Sequence, residues 1–414
     1  MAEKTLIIEE HLLVRICFIF AGGFMLAEGL QNWIRGRIET HPEVILLLLL
    51  TYSITFVLFA LATLNSKLVL RTRDAALAAL VFMMAASWYV ITQVEFPHSY
   101  QTDALAFVHY AAILYSKGMN PYTQDLQSAL SMFSVNPQFI TLTPTGDLVS
   151  TLNYPALQFL VMLPAVWVGL QDARWVILVF EVAAILAVYF WAPREIRLLA
   201  LLPIFAGSDL AISFGAGAIA DFLWVLPLVF MVVYLDRPWL AGIMYGLASA
   251  IKQTPWLLAP FLLIWFLRSG GNISTQDRLK RAGVFVAFAL GAFLLPNIGF
   301  MWNDFGAWYA GVVTPAFGNL VVLGQGLSLI TLAGGVPLPP AFYLTATLAI
   351  AVTLLVNYLA YFEKLRYAIW AFPGVILWFS YRGLQNYFIF WTPLLVMSVI
   401  LLYQKEKHGV KDQA

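Results

Sequence analysis

Four charged residues stand in surroundings too apolar for ordinary surface charges: Asp103, Asp221, Lys252 and Arg382. Asp103 opens a stretch in which Phe107, Tyr110 and Leu114 recur at helical spacing, before Gly118 and Asn120-Pro121-Tyr122. This pattern predicts an interfacial helix, apolar on one face and ended by Gly118. A carboxylate at the edge of an apolar cavity suits a general base, while Asp103 or Thr102 is equally placed to cap the helix. Asp221 precedes an apolar helix, where a carboxylate favours the helix dipole; capping is again an alternative, and Asp209 is a nearby candidate. Lys252-Gln253 falls inside the apolar stretch 239–267, which also holds Pro255 and Pro260 and reads as two short helices meeting near the lysine. A charge within a membrane segment costs at least about 2.5 kcal/mol, so Lys252 is either functional, for instance beside a phosphate, or snorkels to the surface. Arg382, followed by Gln385-Asn386-Tyr387, is a second cation or a plain loop arginine, and Tyr154-Pro155 opens a helix where an aromatic anchor is common.

Other chemistries lack their residues. His98 and His109 have no third ligand spaced for zinc, so no metal site is expected. There is no Walker loop, Gly-rich dinucleotide fingerprint or G-x-S-x-G, which leaves nucleotide chemistry and an exposed serine hydrolase without support, and no cofactor is implied. The single cysteine, Cys17, excludes a disulfide framework. A net charge of +1 gives no field for nucleic acid.

The elements that must position these residues are membrane helices. Of 414 residues 61% are hydrophobic and 11% charged, less than half the roughly 25% of soluble domains. A bilayer is the solvent that accommodates so much apolar surface. The composition predicts an all-α, polytopic transmembrane protein. Candidate crossings are roughly 11–30, 43–63, 74–93, 152–170, 174–191, 217–235, two within 239–267, 283–300, 340–361, 367–380 and 386–404, about twelve in all. The stretches 196–216 and 318–335 read as re-entrant or short spanning segments. Met1 to Glu10 lacks a small-residue cleavage site, so the first helix is expected to be retained.

Lys and Arg in short connections set the orientation. Lys67, Arg71 and Arg73, then Arg268, Arg278, Lys280 and Arg281, then Lys364 and Arg366, then Lys405, Lys407 and Lys411 all fall on one side of an even-numbered topology with both termini cytoplasmic. Arg35 and Arg37 fall outside, against the rule. The longest polar segment, 94–151, is then extracytoplasmic, with Glu95, Asp103, Asp125 and Asp147 but one basic residue, Lys117. Segment 301–320 and the Ser380 to Tyr387 connection share that side, so three non-adjacent segments converge there.

In this order the landmarks resemble the GT-C superfamily of membrane glycosyltransferases, most closely the branch of polyprenyl-phosphate-mannose-dependent mannosyltransferases, glycosyltransferase family 87. That family has an aspartate in the first large outer loop, then a helix ending Gly-x-Asn-Pro-Tyr, here Asp103 and Gly118 to Tyr122. Its Tyr-Pro-Pro-Leu reads Tyr154-Pro155-Ala156-Leu157, a departure at one position. Its small-residue helix ending in lysine matches Leu240 through Lys252-Gln253, whereas its preceding Gly-Gln is Gly215-Ala216-Gly217 here. The resemblance implies residues 1–73 as an added pair of helices, 74–404 as a GT-C-like core with a large outer loop of interfacial helices, and 405–414 as a cytoplasmic tail. It implies transfer of mannose or another hexose from a polyprenyl-phosphate donor to a lipid, glycan or protein acceptor on the extracytoplasmic face, with inversion, in the plasma membrane if prokaryotic. Asp103 would be the catalytic base; Asp221, Lys252, Gln253, Arg382, Asn120, Tyr122, Tyr154 and Gln385 would bind substrate. The rival readings are a transporter or lipid flippase, which would need paired broken helices in two halves, an O-antigen-ligase or polymerase-like enzyme, whose large loop lies late in the chain, and a non-catalytic scaffold.

Overall fold

A computed structural model describes residues 10–34, 42–90, 92–93, 99–205, 215–270, 273–318 and 320–411. Glu95, His98, Asp209, Arg35, Arg37 and most of the Met1 to Glu10 segment lie outside these residues. The described chain is helical, and a single antiparallel bridge, Leu142 to Leu148, is its one extended pairing. The helices of ten or more residues are α1 (Glu10–Ile34), α2 (Pro42–Thr63), α3 (Ser66–Val90), α4 (Asp103–Ser116), α5 (Arg174–Trp191), α6 (Phe222–Val233), α7 (Pro238–Ile251), α8 (Ala259–Arg268), α9 (Thr275–Asn303), α10 (Pro340–Ala360) and α11 (Thr392–Lys411).

Six spans among the described residues are long and apolar enough to cross a bilayer unaided, within α1, α2, α5, α9, α10 and the 385–407 stretch. That is half the expected count. Proline accounts for much of the difference. Pro255 lacks an N–H and its ring clashes with the carbonyl four residues earlier. α7 accordingly stops at Ile251, Lys252 is extended at φ −147° and ψ 156°, and a 3-10 turn over Thr254–Leu258 leads into α8. The expected pair of half-helices meeting at Lys252 is therefore present.

Other expectations need correction. The 152–170 stretch is two short pieces, Leu157–Leu160 and Leu163–Trp167, instead of one crossing. Its two flanks bond the same loop, Tyr154 through Tyr122 and Ala173 through Tyr100, so it lies along that loop. The 367–380 stretch divides into a 3-10 turn and a seven-residue helix, Phe372–Trp378. Within 318–335 the one helix is Leu329–Gly334, too short to span. Lys67, Arg71 and Arg73 lie in the opening turns of α3 rather than in a connection. Finally, α4 is not an amphipathic surface helix. Leu105, Ala106, Phe107, Val108, Ala111 and Ala112 are all buried under loop and short-helix segments, while Tyr115 and Ser116 at its end are exposed.

The tightest packing joins α7 to α9. A Cβ on Gly242 would lie 2.5 Å from the Phe285 carbonyl oxygen, and one on Gly246 would fall 2.7 Å from the Ala292 Cβ. Small residues allow this approach, the usual solution where no hydrophobic effect drives helices together in lipid. One continuous apolar core, with Trp88, Trp224, Trp370 and Trp391 fully buried, ties α3 to α11.

Candidate functional site

The break after α7 and the start of α6 bring Lys252 against Asp221. Asp221 is fully buried and Lys252 is 7% exposed; their Nζ and Oδ1 are 2.5 Å apart. Lys252 therefore does not snorkel. Asp221 does not cap α6 with its side chain. Its Oδ1 also accepts from Trp224 Nε1 at 2.7 Å, and its Oδ2 from Asn386 Nδ2 at 2.5 Å. Three donors on one carboxylate offset its desolvation. The lysine ammonium lies 4.9 Å from the Tyr387 ring centre and 5.7 Å from that of Tyr154, so aromatic faces surround what the carboxylate leaves open.

Tyr154 is fixed from below. Its carbonyl accepts from the buried Tyr122 hydroxyl at 2.8 Å, and Tyr122 is wedged edge-on against Phe159 and Phe300. Asn120 starts the 3-10 turn that presents Tyr122, accepting from its N–H at 3.1 Å and donating to Asn303 Oδ1 at 2.7 Å. Gln253 Nε2 donates to the carbonyls of Asn153 at 2.9 Å and Val312 at 2.8 Å, joining the lysine turn to two loops. Asn297 does the same one layer deeper, accepting from Ala156 N and Trp308 Nε1, each at 3.0 Å. Asn120, Tyr122 and Gln253 thus hold the frame. Gln385 Oε1 takes an exposed bond from Gln325 Nε2 at 3.0 Å, and no described contact ties it to the charged group.

Asp103 lies on the same group. It is 6% exposed, and its Oδ2 accepts from the Thr141 backbone N–H at 2.7 Å. Thr102 makes no side-chain cap; its hydroxyl donates instead to Ala218 O at 3.2 Å. Burial pushes the Asp103 carboxyl above its ordinary range, with the Thr141 bonds and the Arg382 guanidinium opposing. Tyr154 lies within electrostatic reach of Tyr387, Asp103, Asp221 and Arg382. Arg382 is half-buried, its guanidinium near the Val321 carbonyl.

The loops that cover the site interlock. Val321 N donates to Leu142 O at 2.9 Å, Leu323 N to Tyr381 O at 3.0 Å and Gln325 N to Gly383 O at 2.8 Å. The segments 100–151, 304–328 and 378–387 are therefore in contact. His109 is buried in this layer, its Nδ1 2.9 Å from the Tyr100 hydroxyl and its ring stacked on Phe133 at 4.8 Å. Burial lowers it to about 4, so it is a neutral packing group. Among the described residues no three His, Cys, Asp or Glu are grouped to hold a metal ion.

Trp224, Asn386 and Tyr387 were not singled out from sequence as site residues. Asn386 and Tyr387 adjoin Gln385 in a connection already marked as convergent, but nothing local distinguishes them as the partners of Asp221 and Lys252.

The family-87 glycosyltransferase model matches residues 152–401, a stretch that includes Tyr154, Asp221, Lys252 and Arg382 and begins after Asp103. No curated protein and no solved structure matches the chain significantly. The match covers more than half of an integral membrane chain, and the chain belongs to glycosyltransferase family 87, of GT-C type.

Proposed function

We propose that this glycosyltransferase moves a hexose, such as mannose, from a polyprenyl-phosphate donor to a hydroxyl of a lipid, glycan or protein acceptor at the extracytoplasmic face. The observation that carries the reading is the buried Asp221–Lys252 pair at a helix break, with Arg382, two tyrosine rings and Asp103 gathered round it. Asp103 accepts the proton of the acceptor hydroxyl as its oxygen bonds to the anomeric carbon. The bond from that carbon to the donor phosphate oxygen breaks, and its electron pair leaves with the phosphate. Lys252 and Arg382 stabilise the charge that grows there. A single displacement inverts the anomeric carbon. Asp221 orients Lys252 and a sugar or acceptor hydroxyl, and Tyr154 and Tyr387 offer faces for a sugar ring.

A lipid-borne donor is supported by an apolar groove of about 630 Å³. Leu157, three residues beyond Tyr154, and Leu247, five before Lys252, line it with Ile243, Phe288, Leu295 and Pro296. Sidedness rests on the positive-inside rule: the opposite ends of α8, α9 and α10 carry Arg268, Arg278, Lys364 and Arg366. In the transporter alternative, paired broken helices would be needed in two halves, and α7–α8 is the one clear break beside a charge.

The test is turnover of a radiolabelled polyprenyl-phosphate hexose in proteoliposomes. Asp103→Asn is expected to lower kcat by about 10²–10⁴-fold with expression and fold intact. Near-normal activity in that variant would exclude Asp103 as the base.

A further inference from the structure

The helix ends opposite the Asp103 group carry a second cavity. α9 has 29 residues and so runs about 43 Å, from Arg278 in its first turn to Asn303, the partner of Asn120. α10 likewise starts near the Tyr343 and Tyr381 cluster and ends at Ala360. Where α8 ends, α9 begins and α10 ends, a cavity of about 610 Å³ is lined by Arg268, Arg278, Lys364 and Arg366 with one carboxylate, Glu363. Four cations face one anion. Among the described residues, Arg268, Lys364 and Arg366 take part in no ion pair.

Arg268 and Arg366 are held in place by groups that do not neutralise them. Arg268 Nη1 donates to the Leu359 carbonyl at 2.6 Å. Arg366 lies with its guanidinium carbon 4.7 Å from the Trp265 ring centre and 5.6 Å from that of Tyr367, while its Nε is buried with no partner among the described residues. A flat guanidinium fixed on aromatic rings is prepared for oxygen acceptors in its plane. Uncompensated positive charge gathered in a concavity has to be met by an anion.

We propose that this cavity binds a phosphate anion, carried by the headgroup of an anionic membrane lipid. The lipid source is favoured by what adjoins it. Leu348, Val352, Val356 and Leu359 form an exposed apolar stripe down α10 that ends at the cavity, where acyl chains can lie. Tyr361, 55% exposed, lines the cavity, and exposed tyrosines are enriched at membrane–water interfaces. Basic pockets between membrane helices favour such headgroups, each basic residue adding roughly fivefold in affinity. The site is distant from the sugar-transfer group and does not depend on that assignment.

The experiment is thermal melting of the purified full chain in neutral detergent. The probes are short-chain phosphatidylglycerol, phosphatidylcholine of the same chain length, and inorganic pyrophosphate. Phosphatidylglycerol is expected to raise the melting temperature saturably and phosphatidylcholine to leave it unchanged. The double variant Arg278→Gln/Lys364→Gln should need more than tenfold higher phosphatidylglycerol, while Lys67→Gln, a basic residue outside the cavity, should respond as the parent does. Lys364→Gln alone keeps the test open if the double variant misfolds, because the Lys364 ammonium makes no bond to a described residue. Equal stabilisation by pyrophosphate, lost in the same variants, would uphold the anion site and assign it to a soluble phosphate. Identical phosphatidylglycerol responses in parent and variants would overturn the proposal.

Discussion

Breaking the Asp221–Lys252 pair separates a structural lysine from a catalytic one. Both side chains are buried, and Asp221 also holds Trp224 and Asn386. Lys252→Gln leaves a buried carboxylate with two neutral donors; Asp221→Asn leaves a buried ammonium with aromatic faces alone. Removing one member of a buried pair costs about 3–5 kcal/mol. For a chain of 414 residues that corresponds to a fall in melting temperature of about 3–6 °C. The double variant Asp221→Asn/Lys252→Gln removes both charges and keeps the volume, and such replacements are often close to neutral. Its melting temperature should therefore return most of the way to the parent value, far above what the summed costs of the two single variants predict. Activity should behave otherwise. If Lys252 stabilises the departing phosphate, the double variant stays down about 10²–10³-fold in kcat despite its recovered stability. Melting in detergent and turnover in proteoliposomes read the two effects separately. A double variant that melts as low as the sum of the singles refutes mutual compensation, and one that regains activity refutes the phosphate role.

The raised Asp103 pKa places the acid limb of the pH–rate profile above the usual carboxylate range, since a base must be deprotonated to act; Arg382→Gln should move that limb higher still, and an unmoved limb would separate Arg382 from Asp103. A carboxyl raised by folding favours the fold at low pH and loses that contribution as pH climbs through its folded value, so Asp103→Asn should melt at or above the parent near neutrality. His109 has the opposite sign. It is neutral and lowered to about 4, so the stability it preserves is complete above its unfolded value of about 6.5 and falls away as pH drops towards 4. In an Asp103→Asn background, His109→Gln should flatten the melting temperature between those limits. Gly246→Val forces a branched side chain against the α9 backbone and should cost about 1–3 kcal/mol or more, seen as lower melting with the apparent KM of surviving protein unchanged.

Much of the framework was readable because its causes are local. Pro255 lacks an N–H and disfavours continuation of α7, although Pro227 and Pro296 are carried inside α6 and α9, and a lysine at such a stop is conspicuous in an apolar run. Gly118 at φ +79° and Asn120 before proline terminate α4 by their own chemistry. What covers an element is not local. Phe107, Tyr110 and Leu114 mark one apolar face, yet Ala106, Ala111 and Ala112 are also buried, since loops distant in sequence close over them. The same holds for partners. Asn386 meets Asp221 across 165 positions of chain, and no spacing rule records that. Gln253 and Gln385 stand close to Lys252 and Arg382 in sequence, but which groups their amides meet is set by loops far along the chain. The structure gives Gln253 two backbone carbonyls and Gln385 another glutamine.

The proposed reaction centre contains two carboxylates, Asp103 and Asp221, and two cations, Lys252 and Arg382. Empty, it is formally neutral. It has no net pull on chloride or inorganic phosphate at the membrane edge, and the lysine's attraction is already spent on Asp221. A donor phosphodiester brings one negative charge into that balance, which the existing cations meet only by loosening their hold on the carboxylates. After transfer the lipid phosphate carries a second charge, offset at first by the proton that Asp103 has accepted; once that proton leaves, the centre is left with excess negative charge. The same neutrality that makes the site indifferent to stray anions thus gives it a reason to let its product go.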